Sequence, residues 1–286
     1  MSLCSVAGVP YPRWNIVFNR IRKSMDLGLK GKRAVVTGGN RGIGRACALE
    51  LAREGARVCV TARDERLLQT VVDELNAAGG EGRSVSADLV SLDGCRKVVD
   101  AAVDTFGGVD ILINSAGAAG GGDVLDLDME LLSEALSLKT YGYMRMTQLV
   151  VPLMRKNHWG RIVNIAGGAG ASPGRGTLPT SFANVTVLNA TRAFSDAVSG
   201  NGILVNTICP GFTNTQRARN LMRGRADKEG KDVEEVLREL GKSLPAGRIA
   251  EPEEIGRVAC FLCSEANSYM FGSSIYMDGG SRRGTP

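Results

Sequence analysis

A chain of 286 residues with 43% hydrophobic and 23% charged side chains has the composition of an ordinary globular protein and enough apolar material for one large α/β domain. The net charge is +5, but acidic and basic residues are interspersed beyond residue 25. No basic stripe for nucleic acid is therefore formed, and no apolar run approaches the ~20 residues of a membrane-crossing helix.

The first 24 residues carry Arg13, Arg20, Arg22 and Lys23 with no acidic residue. Targeting peptides and membrane-surface helices share that composition. The simpler reading is an N-terminal extension over 1–24 that precedes a folded domain over 25–286.

From Lys32 onward, short apolar runs alternate with longer helical periods. The runs at 33–37, 57–61, 82–87, 109–113, 161–165, 203–208 and 274–277 read as strands, several of them apolar on both faces. Helical periods lie near 42–54, 64–78, 92–106, 127–155, 180–199 and 252–264. Repeated β-α-β units predict a single doubly wound, Rossmann-like parallel sheet of about seven strands with helices on both faces.

Seven scattered cysteines, an odd number, argue against a disulfide framework and for a reducing cytoplasm. Cys260 and Cys263 form a C-x-x-C, yet they sit in an apolar helical period, and His158 is the chain's single histidine. They read as small core residues, and no metal site is expected.

The first strand runs into Thr37-Gly38-Gly39-Asn40-Arg41-Gly42-Ile43-Gly44, and a helix follows. Glycines here let the backbone turn tightly and approach a pyrophosphate, while the helix N-terminus offers N–H groups to the anion. In this strand–turn–helix setting the run predicts a dinucleotide site.

These residues resemble the Thr-Gly-x-x-x-Gly-Ile-Gly fingerprint of the short-chain dehydrogenase/reductase family, and the resemblance extends from residue 30 to about 281. Asp88-Leu89 stands where that family contacts adenine. Asn114-Ser115-Ala116-Gly117 matches its Asn-Asn-Ala-Gly, with one change at Ser115. Pro210-Gly211-Phe212-Thr213-Asn214-Thr215 matches its Pro-Gly-x-x-x-Thr beside the nicotinamide. Gly247-Arg248, the run from Glu251 to Ile255 and Asp278-Gly279-Gly280 match its C-terminal segments. The resemblance implies a nicotinamide cofactor held by Gly38, Asn40, Arg41, Gly42, Ile43, Gly44, Arg63, Asp88, Leu89, Asn114, Ala116, Gly117, Pro210, Gly211, Thr213 and Thr215.

NAD-binding versions usually end the second strand with a carboxylate for the ribose 2′-OH. Here Ala62 supplies none, and Arg63 and Arg41 suit a 2′-phosphate, so NADP(H) is expected over NAD(H).

The chemistry that the resemblance implies is hydride transfer with a Tyr as acid–base, a Lys four residues later, a Ser after the fifth strand and an Asn on the long preceding helix. Registering Leu188-Asn189-Ala190 against the family puts Thr180 at the Tyr and Asn184 at the Lys. Asn164-Ile165-Ala166-Gly167 puts Gly167 at the Ser, and Leu136-Ser137-Leu138-Lys139 puts Ser137 at the Asn. Neither Thr180 nor Asn184 replaces the Tyr, because a threonine hydroxyl is too weak an acid and an amide carries no charge. Ser137, Thr180, Ser181 and Asn184 remain candidates to hydrogen-bond a substrate carbonyl. Tyr141, one helical turn beyond Ser137, is either a relocated proton donor or a buried packing residue.

The segment over about 212–247 corresponds to the family's substrate-covering region. Its Arg217, Arg219, Arg223 and Arg225 either attract an anionic substrate or form a solvated basic face.

Two classes of function follow. One is an oxidoreductase acting on a small carbonyl or alcohol with non-standard acid–base residues. The other is an inactive nucleotide-binding sensor or partner subunit. The family's habit of pairing the helices near 127–155 and 180–199 implies a homodimer or homotetramer.

Overall fold

The apolar runs pair as one parallel sheet: Arg33–Thr37 (β1), Arg57–Ala62 (β2), Glu81–Ser86 (β3), Ile111–Asn114 (β4), Gly160–Ile165 (β5), Ile203–Pro210 (β6) and Ser274–Met277 (β7). Their order is β3-β2-β1-β4-β5-β6-β7. This computed structural model describes residues 26–117 and 123–283, so the expected extension over 1–24 lies outside the described residues.

The helices are Gly42–Arg53 (α1), Glu65–Ala77 (α2), Leu92–Phe106 (α3), Met129–Ala135 (α4), Gly142–Lys156 (α5), Leu178–Val198 (α6), Gln216–Glu229 (α7), Val233–Ser243 (α8) and Pro252–Leu262 (α9). Side chains alternate across each strand, so the sheet builds two cores. Val36, Val58 and Ile113 face α1, α2 and α9 through Leu51, Leu68 and Ile255. Val35, Leu112 and Ile162 face the opposite layer through Val98, Met146 and Met154. Cys260 and Cys263 belong to the first core, and burial pushes both thiols up.

Several expectations need correction. The helix expected over 127–155 is not continuous: Leu136–Tyr141 forms a π-helical turn between α4 and α5. A π-turn carries an extra residue per turn and re-aims the side chains on it. The Oγ1 atoms of Thr140 and Thr186 hydrogen-bond at 2.6 Å and fasten this turn to α6. The region over 212–247 folds into α7 and α8, which no periodicity had announced. The fourth strand begins at Ile111 rather than at 109. Just before it, the Asp110 carboxylate accepts from the Arg33 backbone N–H (3.0 Å) and guanidinium (2.8 and 2.6 Å), anchoring the start of β1.

The strand order reverses between β1 and β4, and ligands of such sheets bind at the carboxyl ends of the strands near that point.

Candidate active site

A cleft of about 1100 Å³ opens there. Gly38, Asn40, Arg41, Gly42, Ile43 and Gly44 form its floor at one end. Gly38 has φ +65°, and a Cβ on it would lie 2.9 Å from the Ala116 backbone. A Cβ on Gly44 would lie 2.3 Å from the Gly38 carbonyl oxygen. Only glycine permits this loop.

Arg41 precedes α1 in an extended conformation without a side-chain cap, and the first turn of α1 has no acidic residue. Its leading N–H groups therefore face the cleft with no carboxylate in competition. This glycine cradle and uncapped helix end fit a dinucleotide pyrophosphate. Thr37 Oγ1 accepts from the backbone N–H groups of Ser115 (2.9 Å) and Ala116 (3.1 Å), locking the β1 and β4 loops together.

Arg63, Asp88, Leu89, Ala116, Gly117, Pro210, Gly211, Thr213 and Thr215 also line the cleft. Asn114 does not. It is buried behind the wall and donates to Asn164 Oδ1 at 2.9 Å. Asn164 in turn donates to Thr191 Oγ1, which pairs with Thr207 Oγ1. Asn114 is thus part of a polar ladder that holds β4, β5, α6 and β6 in register.

At the other end stand Gly167, Thr180 and Asn184, so the structure brings these positions together. Asn184 is only 2% exposed, and its Nδ2 lies 2.7 Å from where a Gly167 Cβ would be. The asparagine amide fills the room that a side chain at 167 would need. Ser137, on the π-turn, is half-buried and is not among the cleft-lining residues. Tyr141 is not a buried packing residue and is not among the cleft-lining residues: it is 52% exposed, with the Arg145 guanidinium 5.7 Å from its ring centroid. Tyr143 is buried, donates to the Ile165 carbonyl, and its phenol is pushed up by burial.

The residue that sequence reasoning passed over is Lys139. The π-turn presents Leu138 and Lys139 to the cleft, and Lys139 Nζ donates to the Ala166 carbonyl at 3.1 Å. Burial, reinforced by the nearby Arg217 guanidinium, pushes its ammonium down to about 7. One signal was present in the sequence: a lone lysine within the otherwise uncharged run 135–142.

Of the arginines over 212–247, Arg217 alone lines the cleft, and burial lowers its pKa. Arg219 pairs with Glu234 and Arg225 with Glu229, both at 2.6 Å, while Arg223 is exposed. Phe212, Leu221 and Leu244 add apolar surface beside Arg217.

A family model described as Enoyl-(Acyl carrier protein) reductase matches residues 38–282. Oxidoreductase UcpA of Salmonella typhimurium is 34% identical over 257 residues, 88% of this chain and 95% of that protein. The crystal structure of L-sorbose reductase from Gluconobacter frateurii with NADPH and L-sorbose superimposes with a TM-score of 0.87 at 29% identity. That match covers 91% of this chain and 100% of the other. NAD+-bound xylitol dehydrogenase superimposes with a TM-score of 0.82 at 27% identity, covering 88% and 99%. With the sheet, the glycine cradle and these relatives in agreement, the chain belongs to the short-chain dehydrogenase/reductase family of oxidoreductases.

Proposed function

We propose that this chain is an NADP(H)-dependent oxidoreductase of a small carbonyl or alcohol substrate, with acid–base residues that differ from the family's usual set. The observation that carries the cofactor choice is at the end of β2. Ala62 offers no carboxylate there, and Arg63 and Arg41 line the cleft beside it. Asp64, the next acid along the chain, is spent as the cap of α2, its Oδ1 accepting from the Leu67 N–H at 3.1 Å. A 2′-phosphate placed between two guanidiniums gains charge-assisted hydrogen bonds that a 2′-hydroxyl does not. The sorbose reductase with NADPH and the xylitol dehydrogenase with NAD+ indicate that this fold accommodates either cofactor, so the local residues decide.

When bound, the nicotinamide supplies or accepts hydride. The chain's own residues do the rest. The α1 N-terminus and the glycine loop hold the pyrophosphate, and Pro210, Gly211 and Thr213 wall the site at the end of β6. Thr180 and Asn184 face the same space and present hydrogen-bonding groups to a substrate oxygen. Arg217 favours a substrate that carries an anionic group, set against the apolar surface of Leu221 and Leu244.

Calorimetry is expected to give NADPH at least tenfold tighter than NADH, about 1.4 kcal/mol. Arg63→Ala should remove most of that preference, and equal or reversed affinities would defeat the cofactor assignment. NADPH absorbance followed across a panel of ketones tests the activity. Tight NADPH binding with no turnover on any of them would leave a nucleotide-binding protein without the chemistry.

A further inference from the structure

We propose that Lys139 is the proton donor of this site, an acid that reaches the substrate oxygen from the π-turn instead of from α6. The proposal rests on the reductase reading above. Reduction of a carbonyl needs a hydride on carbon and a proton on oxygen. The described part of the cleft has no tyrosine or histidine in its wall to give that proton. Its carboxylates are committed elsewhere. Asp64 caps α2, Asp88 accepts from the Val90 N–H, and Asp278 accepts from the N–H groups of Gly280 and Arg282.

Lys139 is placed for the task. Its Nζ donates one N–H to the Ala166 carbonyl at the end of β5, immediately before Gly167. That bond fixes the ammonium beside Gly167, a wall position with no side chain, and leaves two further N–H groups to serve a substrate oxygen. The π-turn is what delivers the side chain, since Leu138 and Lys139 line the cleft whereas Ser137 does not. A π-turn inside a helix frequently marks a functional position.

The groups acting on this ammonium come from two elements, Arg217 on α7 and Cys209 on β6, while the buried Tyr143 phenol on α5 lies near Arg217. Arg217 repels the ammonium, Cys209 is a buried thiol pushed up to about 11, and Tyr143 is a buried neutral phenol. None supplies a neutralising charge at neutral pH, so the lysine is set to release its proton near 7.

The step balances. A bound reduced nicotinamide would supply hydride to the carbonyl carbon, the C=O π pair moving onto oxygen. The proton passes from Lys139 Nζ to that oxygen, and the alcohol forms. A neutral amine remains and regains its proton from solvent. Ketone, one reduced nicotinamide and one proton are consumed. Alcohol oxidation is the reverse, with the neutral amine as base.

Two measurements test this. The first uses the cofactor-free protein: trace acetic anhydride labelling between pH 5 and 11, with mass spectrometry of the Lys139 peptide. The expected labelling midpoint is near 7. A midpoint near 10.5, or an amine that never labels, overturns the proposal.

The second compares the native protein with Lys139→Met and Lys139→Arg, using NADPH and an activated ketone. Both variants should bind NADPH within about threefold of the native protein and melt cooperatively. Both should lose 10²–10⁴-fold in kcat, the usual worth of a positioned acid. Lys139→Arg keeps the charge but has no proton to release near neutrality, so it should not rescue turnover. Native ketone reduction should decline as pH rises through about 7, and that limb should vanish in both variants. If Lys139→Met keeps more than a tenth of native kcat, Lys139 is not the acid, although the reductase reading survives. If the native protein oxidises NADPH with no ketone, the reductase reading itself falls and the acid role falls with it.

Discussion

At the scale of single residues, the change at Gly167 and the change at Asn184 belong to one contact. A Cβ at 167 would meet Asn184 Nδ2 at 2.7 Å, and Asn184 is almost fully buried, so the amide has little room to yield. Gly170 meets the same residue from the other side, where a Cβ would lie 2.8 Å from Asn184 Cβ. Gly167→Ala is therefore expected to lower stability by about 1 kcal/mol through overpacking. In an Asn184→Ala background the same substitution should cost close to nothing, because the obstructing amide is gone. Urea unfolding of the two single variants and the double variant checks this; strict additivity would mean the two positions do not touch. Gly167 and Gly170 are thus packed around the Asn184 side chain.

At the scale of elements, α1, whose N-terminus lines the cleft, leans on a capped neighbour. α9 packs against α1 closely enough that a Cβ on Gly256 would lie 2.9 Å from the Ala46 carbonyl oxygen. Its first turn is held by Glu254, which accepts from the Glu251 backbone N–H at 2.8 Å and from both Arg248 terminal nitrogens at 2.7 Å. The Arg248 guanidinium, with the Glu251 N–H, holds the Glu254 carboxyl down at about 2. Glu254→Ala should cost about 1 kcal/mol, the typical worth of a cap. The pH dependence has a definite sign. The carboxyl is depressed on folding, so its stabilisation is complete above about 4.5 and is lost as pH falls toward about 2. The stability gap between native protein and variant, from urea unfolding at a series of pH values, should shrink across that window. A gap that stays constant would show that the cap does not depend on the charge.

For the molecule as a whole, the faces of α4 and α6 carry apolar side chains that the described residues leave uncovered. Met129 and Leu131 on α4 are exposed, and Phe182 on α6 is 46% exposed. Burying such side chains releases roughly 25 cal/mol for each Å² of apolar surface. We propose that these faces pair between copies, giving a homodimer or homotetramer. Light scattering at micromolar concentration should report a multiple of the 30.2 kDa chain mass, and a clean monomer would contradict it. No helix among the described residues is long and apolar enough to cross a membrane.

The sequence by itself determined the strand–helix alternation, the sheet it implies and the nucleotide end of the cleft. These rest on short-range rules: side-chain periodicity, β-branched runs, and glycines where Gly38 and Gly44 admit no Cβ. It also led to the expectation that Gly167, Thr180 and Asn184 lie together, and all three line the cleft. Only the tertiary structure decided which other side chains reach it. A regular helix over 127–155 would have kept Ser137 and Tyr141 as the candidates. The π-turn changes the rotation of the helix there, so Lys139 enters the cleft and Tyr141 faces solvent. The arginines over 212–247 read alike in sequence. Partners distant along the chain separate them: Glu234 takes Arg219, whereas the packing of α7 over the cleft takes Arg217. Local pattern fixes which element a residue belongs to. The direction in which its side chain points depends on helical register and on contacts far along the chain, which no short window contains.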